Sequence, residues 1–212
     1  MGLRDWFTRR YGFSDKSTLD FVAKRETVYR QFFGGLQEVN HELNPVVPHI
    51  DVYVYPPGFQ GRDFFTLVTG GLSDFPMDMP PGPTSPRCEL IMYAREPAKR
   101  CIGFLRYLAC IPHVQNTWFS HGSTMTNGQP PEPIFEGSQL DCVLFLFPIV
   151  SPDKTIGEHL LLEGQAVNFL WIVPVTNSEC ELVRHEGLGK MLALMDQNNH
   201  PIVLNTLRAS YA

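Results

Sequence analysis

Three runs rich in β-branched and aromatic residues crowd into the stretch His49–Ala94, HIDVYVYPPGFQGRDFFTLVTGGLSDFPMDMPPGPTSPRCELIMYA. Ile50–Tyr55 alternates, with Ile50, Val52 and Val54 on one face and Asp51, Tyr53 and Tyr55 on the other. Phe64–Thr69 and Cys88–Ala94 follow, separated by polar or Pro/Gly-rich connections. Period-two alternation bounded by Pro and Gly predicts strands with a buried face. The second connection, Gly70-Gly71-Leu72-Ser73-Asp74-Phe75-Pro76-Met77, leaves a strand through two glycines and then presents a Ser-Asp pair before a proline.

The rest of the chain supplies helices and further strands. Ser17–Phe33 reads as a helix: Ser17 caps it, Asp20 sits in its first turn, and Phe21, Val22, Val28, Tyr29, Phe32 and Phe33 form an apolar stripe ended by Gly34-Gly35. A connector with Pro45 and Pro48 leads into the strands. Pro97 suits the first position of a helix over Pro97–Ile111, with Cys101, Phe104, Leu105, Leu108 and Ala109 inward, Lys99, Arg100 and Arg106 in water, and Pro112 as the stop. Gln115–Gln139 is polar and proline-containing, the pattern of a long functional loop. Cys142–Val150 is an apolar run suited to a central strand buried on both faces, and Val167–Val175 is another strand. Thr176-Asn177-Ser178-Glu179 is a capping box. It predicts a helix to about His185, a break at Gly187, and a second helix over Leu188–Gln197. Pro201–Leu207 reads as a last strand at the sheet edge.

The expected architecture is α+β: one mainly antiparallel or mixed sheet holding Ile50–Tyr55, Phe64–Thr69, Cys88–Ala94, Cys142–Phe147 and Val167–Val173, with Ser17–Phe33 and Pro97–Ile111 packed on it. Phe65, Leu67, Leu90, Met92, Phe145 and Phe169 are the expected core. At 212 residues one domain accommodates the whole, with residues 1–16 as a loosely attached N-terminal segment.

Charge and motif content narrow the function. Lys+Arg 17 against Asp+Glu 22 gives a net charge of -5 and no basic stripe, which argues against nucleic acid. The N-terminus MGLRDWFTRRYGF has no apolar signal core, and no apolar run reaches membrane-spanning length. Five scattered cysteines, Cys88, Cys101, Cys110, Cys142 and Cys180, read as reduced thiols of a cytoplasmic protein. No Cys-x-x-Cys, no His-Glu-x-x-His and no phosphate-loop frame is present, and Asp74 with Asp78 lacks the ligand density of a calcium loop. The reading therefore includes no cofactor, no metal and no catalytic set.

Two constellations stand out as protein-binding candidates. Ser73-Asp74 either presents a hydroxyl and a carboxylate to a partner or caps its own turn. Trp118-Phe119-Ser120-His121-Gly122 offers either an aromatic contact rim, through Trp118 and His121, or a core plug with a loop-bonding His. A competing enzymatic reading is a small hydrolase with a Cys/His or His/carboxylate site, drawing on Cys110 and His113 or on a cleft near Ser73 and His121.

TLVTGGLSDFPM followed by RCELIMYA resembles the suppressor-of-fused domain family. Three later blocks agree in order: Trp118 through Gly122, Asn168 through Val175, and Glu179 through Gly187-Leu188-Gly189-Lys190-Met191-Leu192. The likeness runs from about Pro48 to Asp196 and implies a non-catalytic protein-binding module. Eukaryotic members carry a second, C-terminal domain and capture a peptide of Gli-type transcription factors as an added β-strand. The length of this chain matches the single-domain form found widely in bacteria, for which the family suggests immunity proteins that neutralise toxins. The implied partner is thus a protein or peptide, such as a toxin domain.

The thiol assignment has a direct check. Titration of the denatured, unreduced protein should count all five cysteines; a shortfall restored by reductant would reveal a disulfide.

Overall fold

The structure, a computed structural model, describes residues 15–42, 48–82 and 84–212, with the side chains of the first helix from Leu19. Most of the expected N-terminal segment 1–16, and Pro45 of the connector, lie outside the described residues. The helices are α1 (Asp15–Phe33), α2 (Lys99–Gln115), α3 (Asn177–Glu186) and α4 (Leu188–Gln197). The principal strands are β1 (Glu38–Asn40), β2 (Asp51–Tyr55), β3 (Phe65–Gly70), β4 (Cys88–Ala94), β5 (Thr124–Thr126) and β6 (Cys142–Leu146). A small hairpin of β7 (Leu161–Leu162) and β8 (Gln165–Ala166) precedes β9 (Asn168–Val175).

Seven strands form one mixed sheet in the order β1-β2-β3-β4-β9-β6-β5. β4 and β9 run parallel, and the other neighbours are antiparallel. All five runs expected to share a sheet do so. The alternation of side chains splits them between two cores. Tyr53, Tyr55, Val68, Ile91, Tyr93, Leu144, Phe169 and Trp171 pack beneath α1, α3 and α4. Val52, Val54, Leu67, Leu90, Met92, Phe145 and Ile172 pack against α2 and against Phe119, Ile134 and Phe135. The sheet is thus a middle layer buried on both faces, which explains why β4 and β6 read as continuous apolar runs.

Two helix ends follow their predicted chemistry, whereas two starts shift: α1 already includes Asp15, so Ser17 lies inside it, and α2 begins at Lys99, with Ala98 rather than Pro97 before it. Gly34, at φ +84°, ends α1 and returns its N–H to the Arg30 carbonyl. The capping box is complete: the Thr176 hydroxyl accepts from the Glu179 N–H, and the Glu179 carboxylate accepts from the Thr176 N–H. Helix α3 ends at Gly187 as expected, and α4 begins there.

Several expectations need correction. Pro112 does not stop α2, which continues to Gln115 and closes on Asn116 in the left-handed region. One proline near a C-terminus removes a single ladder bond, and here the Pro112 carbonyl accepts from the cap N–H instead. Arg106 is half-buried rather than solvated: it donates to the carbonyls of Ile50 and Asn40 and pairs with Glu42. Phe65 is half-buried, because it opens β3 at the rim of the α2-side core. Strand β6 is buried on both faces but second from the edge, covered by β5 from within the Gln115–Gln139 stretch. That stretch is tied down by β5 and by the buried Ile134 and Phe135.

Pro201–Leu207 is not a strand. The C-terminal segment folds back instead, locked by Arg208, whose guanidinium bonds both oxygens of the capping-box Glu179 at 2.7 and 2.6 Å. Although burial raises the Glu179 pKa, the bonds from Arg208 and from the backbone outweigh it and hold the carboxyl below its usual value. Beside this latch, His200 packs near Trp171, and its Nδ1 is hydrogen-bonded to the Tyr211 hydroxyl at 3.0 Å.

Burial, reinforced by Arg208, lowers the His200 pKa from 6.5 to about 4. The folded state therefore holds this imidazole neutral, and its contribution is complete above pH 6.5 and is lost as pH falls toward 4. Stability measured by urea denaturation should decline across that window, and His200→Gln should flatten the decline. An unchanged slope in the variant would remove His200 as its cause.

Candidate functional site

The Gly70–Asp74 connection is built around one carboxylate. Glu89 is the lone charged residue of β4 and is fully buried. Its Oε1 accepts from the N–H groups of Gly71 (3.0 Å) and Ser73 (3.1 Å) and from the Ser73 hydroxyl (2.6 Å). Its Oε2 accepts from the Thr69 hydroxyl at 2.6 Å. The N–H groups of Gly71 and Ser73, at the start of the short 3-10 turn over Leu72–Asp74, thus find a buried acceptor on the neighbouring strand, while the Asp74 N–H closes the turn on the Gly71 carbonyl. Gly71 makes this possible. It sits at φ +121°, and a Cβ there would lie 2.0 Å from the His49 carbonyl oxygen.

Arg25 supplies the opposite charge. It lies on the apolar stripe of α1, and its guanidinium bonds Asp74 (2.7 Å), Glu89 (3.2 Å) and the Ser73 hydroxyl (3.2 Å). Burial alone lowers the pKa of this guanidinium, but Asp74 and Glu89 together outweigh burial and raise it. Tyr29, one turn on, donates to the Thr69 carbonyl at 2.6 Å. From the other side Arg87 donates to the carbonyls of Ser73 (2.7 Å) and Asp74 (2.9 Å) and pairs with Glu163 of the β7–β8 connection. His113 of α2 donates its Nε2–H to the Leu72 carbonyl at 3.1 Å. The turn is gripped by α1, α2 and β4 at once, and the small hairpin holds Arg87 against it.

Trp118 and His121 occupy a different environment. Trp118 is 41% exposed, while its neighbour Phe119 is buried and stacks on Phe145 with ring centroids 4.2 Å apart. His121 is exposed and lies flat on Phe147, centroids 4.6 Å apart and planes within 5°. Its Nδ1 accepts the Phe147 N–H at 2.9 Å, so the neutral ring turns Nε2–H outward; partial burial also lowers its pKa. The backbone of this loop is stitched to β6 through Gly122 N–H to Phe145 O (2.8 Å) and Phe145 N–H to Ser123 O (3.0 Å). Phe147 and Ile149, about half exposed, continue the rim beyond β6. A groove of about 250 Å³ opens beside it, lined by Phe147, Pro148, Lys154, Glu158 and Asn168 among others.

The four residues singled out in the sequence therefore form two separate pairs. Ser73 and Asp74 are held beneath α1, with Ser73 fully buried and Asp74 mostly so. Trp118 and His121 stand on the rim along β6. The hydrolase candidates show the wrong chemistry for a nucleophile: burial, then Glu42, raises the Cys110 thiol pKa, and the His113 Nε2–H is engaged by Leu72. Sequence reasoning passed over Arg25 and Glu89. A lone arginine on an apolar helix stripe and a lone acid inside CELIMYA are the signals that could have paired them.

A mixed seven-stranded sheet between two helical layers, with a buried acid organising the turn after β3, defines an α+β domain of known type. The family model of the suppressor of fused protein matches residues 47–209, and the chain belongs to that family. A search of curated proteins finds no sequence match. Among solved structures, a protein of Neisseria gonorrhoeae FA 1090 described as a suppressor of fused homolog aligns over 92% of this chain and 98% of its own, at 18% identity and a TM-score of 0.69. The Sufu–Fu complex aligns over 92% of each chain at 13% identity, TM-score 0.63. Drosophila Suppressor of Fused aligns over 92% of this chain and 51% of its own, at 14% identity, TM-score 0.59. At these identities the structural matches establish the fold. Among the described residues no helix is long and apolar enough to cross a membrane.

The buried charge cluster is testable. Arg25→Met and Glu89→Leu should each cost about 3–5 kcal/mol in urea denaturation, since each removes one side of a buried ion pair and leaves the other charge with fewer partners. The double variant should cost less than the sum, with a coupling of about 0.5–3 kcal/mol. Strictly additive losses would show that the two groups do not depend on each other.

Proposed function

We propose that this chain is a non-catalytic protein-binding module and that the rim formed by Trp118, His121, Phe147 and Ile149 meets its partner. One observation carries the reading: Trp118, His121, Phe147 and Ile149 are left exposed on and just beyond backbone stitched to β6, with His121 stacked on Phe147, while Cys110 and His113 are partly buried. Aromatic anchors on a rigid scaffold are what protein interfaces concentrate. In this reading Ser73 and Asp74 act from beneath, fixing the turn that positions the scaffold. Family membership supports a binding role, and the suppressor of fused relative solved with Fu is a precedent for a protein partner. The finer reading is a toxin-immunity protein whose partner is a basic toxin domain, in keeping with the net charge of -5.

The test begins with tagged chain recovered from its host, the co-purifying protein identified and then remade for calorimetry with purified components. Trp118→Ala and Phe147→Ala should each weaken binding by about 2 kcal/mol, roughly thirtyfold, with the melting temperature little changed. Loss of affinity only in proportion to unfolding would mark the rim as structural. For the immunity reading, co-expression with the partner should restore growth that the partner alone suppresses.

A further inference from the structure

The pairing of β1 with β2 places Glu38 opposite Val54, Val39 opposite Tyr53 and Asn40 opposite Val52. Continuing that antiparallel count sets His41 opposite Asp51, and His49 lies two residues before Asp51, on the same face. Three residues from either side of one connection therefore converge at the end of the β1–β2 ladder. Nδ1 of His41 lies 3.1 Å from Asp51 Oδ2, and Nε2 of His49 lies 3.2 Å from Asp51 Oδ1. One ligand atom from each residue falls within 4.8 Å of the others.

We propose that His41, His49 and Asp51 form a binding site for a divalent transition metal of the zinc type, which fastens the edge of the sheet. Two imidazoles and one carboxylate are the donor set of such ions, whereas calcium and magnesium prefer oxygen alone. Donor atoms around a tetrahedral zinc sit roughly 3.3 Å apart, given bond lengths of about 2.0–2.1 Å. The two separations end on different oxygens of Asp51, so an ion placed between the imidazoles draws the donors together by a modest ring shift and replaces ring protons that otherwise face the carboxylate. The surroundings hold the donors in place. The Glu42 N–H donates to Asp51 Oδ1 at 3.1 Å. Arg106 clamps the backbone on both sides, bonding the carbonyls of Asn40 (2.7 Å) and Ile50 (3.1 Å). His41 and His49 are 65% and 49% exposed in their side chains, which leaves an approach for the ion and a position for water as fourth ligand. The spacing of the three residues matches no zinc motif, because strand register rather than a single helix or knuckle brings them together. The site is independent of the protein-binding rim.

The test uses the whole chain, stripped with chelator and titrated with zinc chloride alone by calorimetry. The expected result is one zinc per chain and a raised melting temperature. His41→Gln and His49→Gln should each weaken zinc binding by about tenfold or more, with zinc-free circular dichroism matching the parent. His185→Gln, at an exposed histidine beside Glu181 on α3, should leave zinc binding unchanged. Cobalt bound to the parent chain should give a visible band without thiolate charge transfer. No zinc binding, binding indifferent to both ligand variants, or a thiolate band would each overturn the proposal.

Discussion

A buried carboxylate with five donors around it is the constraint from which much of this fold follows. Left alone in the interior, Glu89 would be strongly destabilising, because an ionised group loses its hydration there. The chain answers by folding the Gly70–Asp74 turn over it, so that two backbone N–H groups and the Ser73 hydroxyl point inward, by adding the Thr69 hydroxyl from β3, and by laying Arg25 across it. The docking of α1 is thereby tied to the exit geometry of β3 and to the middle of β4. Apolar packing alone would let the helix slide along the sheet. A guanidinium shared between Asp74 and Glu89 leaves it one position.

The same device recurs at two other places. Arg62 bonds Asp153 with both of its terminal nitrogens and also reaches the Phe32 carbonyl, while Tyr93 donates to Asp153 at 2.6 Å. Arg208 does the equivalent for Glu179 and the C-terminal segment. Each joins segments far apart in sequence to the helical layer that contains α1, α3 and α4. Such pairs add little net stability compared with apolar replacements of equal shape, but losing one member is severe. They select among arrangements that hydrophobic burial would otherwise leave nearly equivalent.

Local chemistry was legible in the sequence, and distant chemistry was not. Five of the seven strands and the break at Gly187 were readable because alternation, capping residues and glycine act over a few positions, whereas the short β1 and β5 lay in stretches read as connector and loop. Arg25 and Glu89 are 64 positions apart, and nothing local says that they meet. Pro201–Leu207 has the composition of a strand, yet Arg208 anchors the following residues to Glu179, and the segment does not extend into a strand although the Leu204 N–H reaches the Tyr93 carbonyl of β4 at 2.8 Å. Pro112 does not stop its helix, since a single missing donor near a helix end is easily absorbed. Of the residues named for binding, sequence pattern identified polar and aromatic loops but not orientation. Ser73 turned inward because Glu89 required it, and Trp118 stayed outward because Phe119 took the core position.

The place of β9 bears on how the chain reaches this state. Its neighbours in the sheet are β4, completed at Ala94, and β6, completed at Leu146, so the strand that joins the two halves is the last of the sheet to be made. Until it arrives, a growing chain carries β1 to β4 with one open edge and β5 to β6 with another, and both edges are apolar on each face. Closure requires insertion between them, a pairing of high contact order and therefore slow. Exposed edges of this kind invite association with other chains. Yield during synthesis should accordingly depend on how soon Asn168–Val175 finds its slot, and substitutions that slow this step will show themselves as aggregation before they show themselves as lost stability.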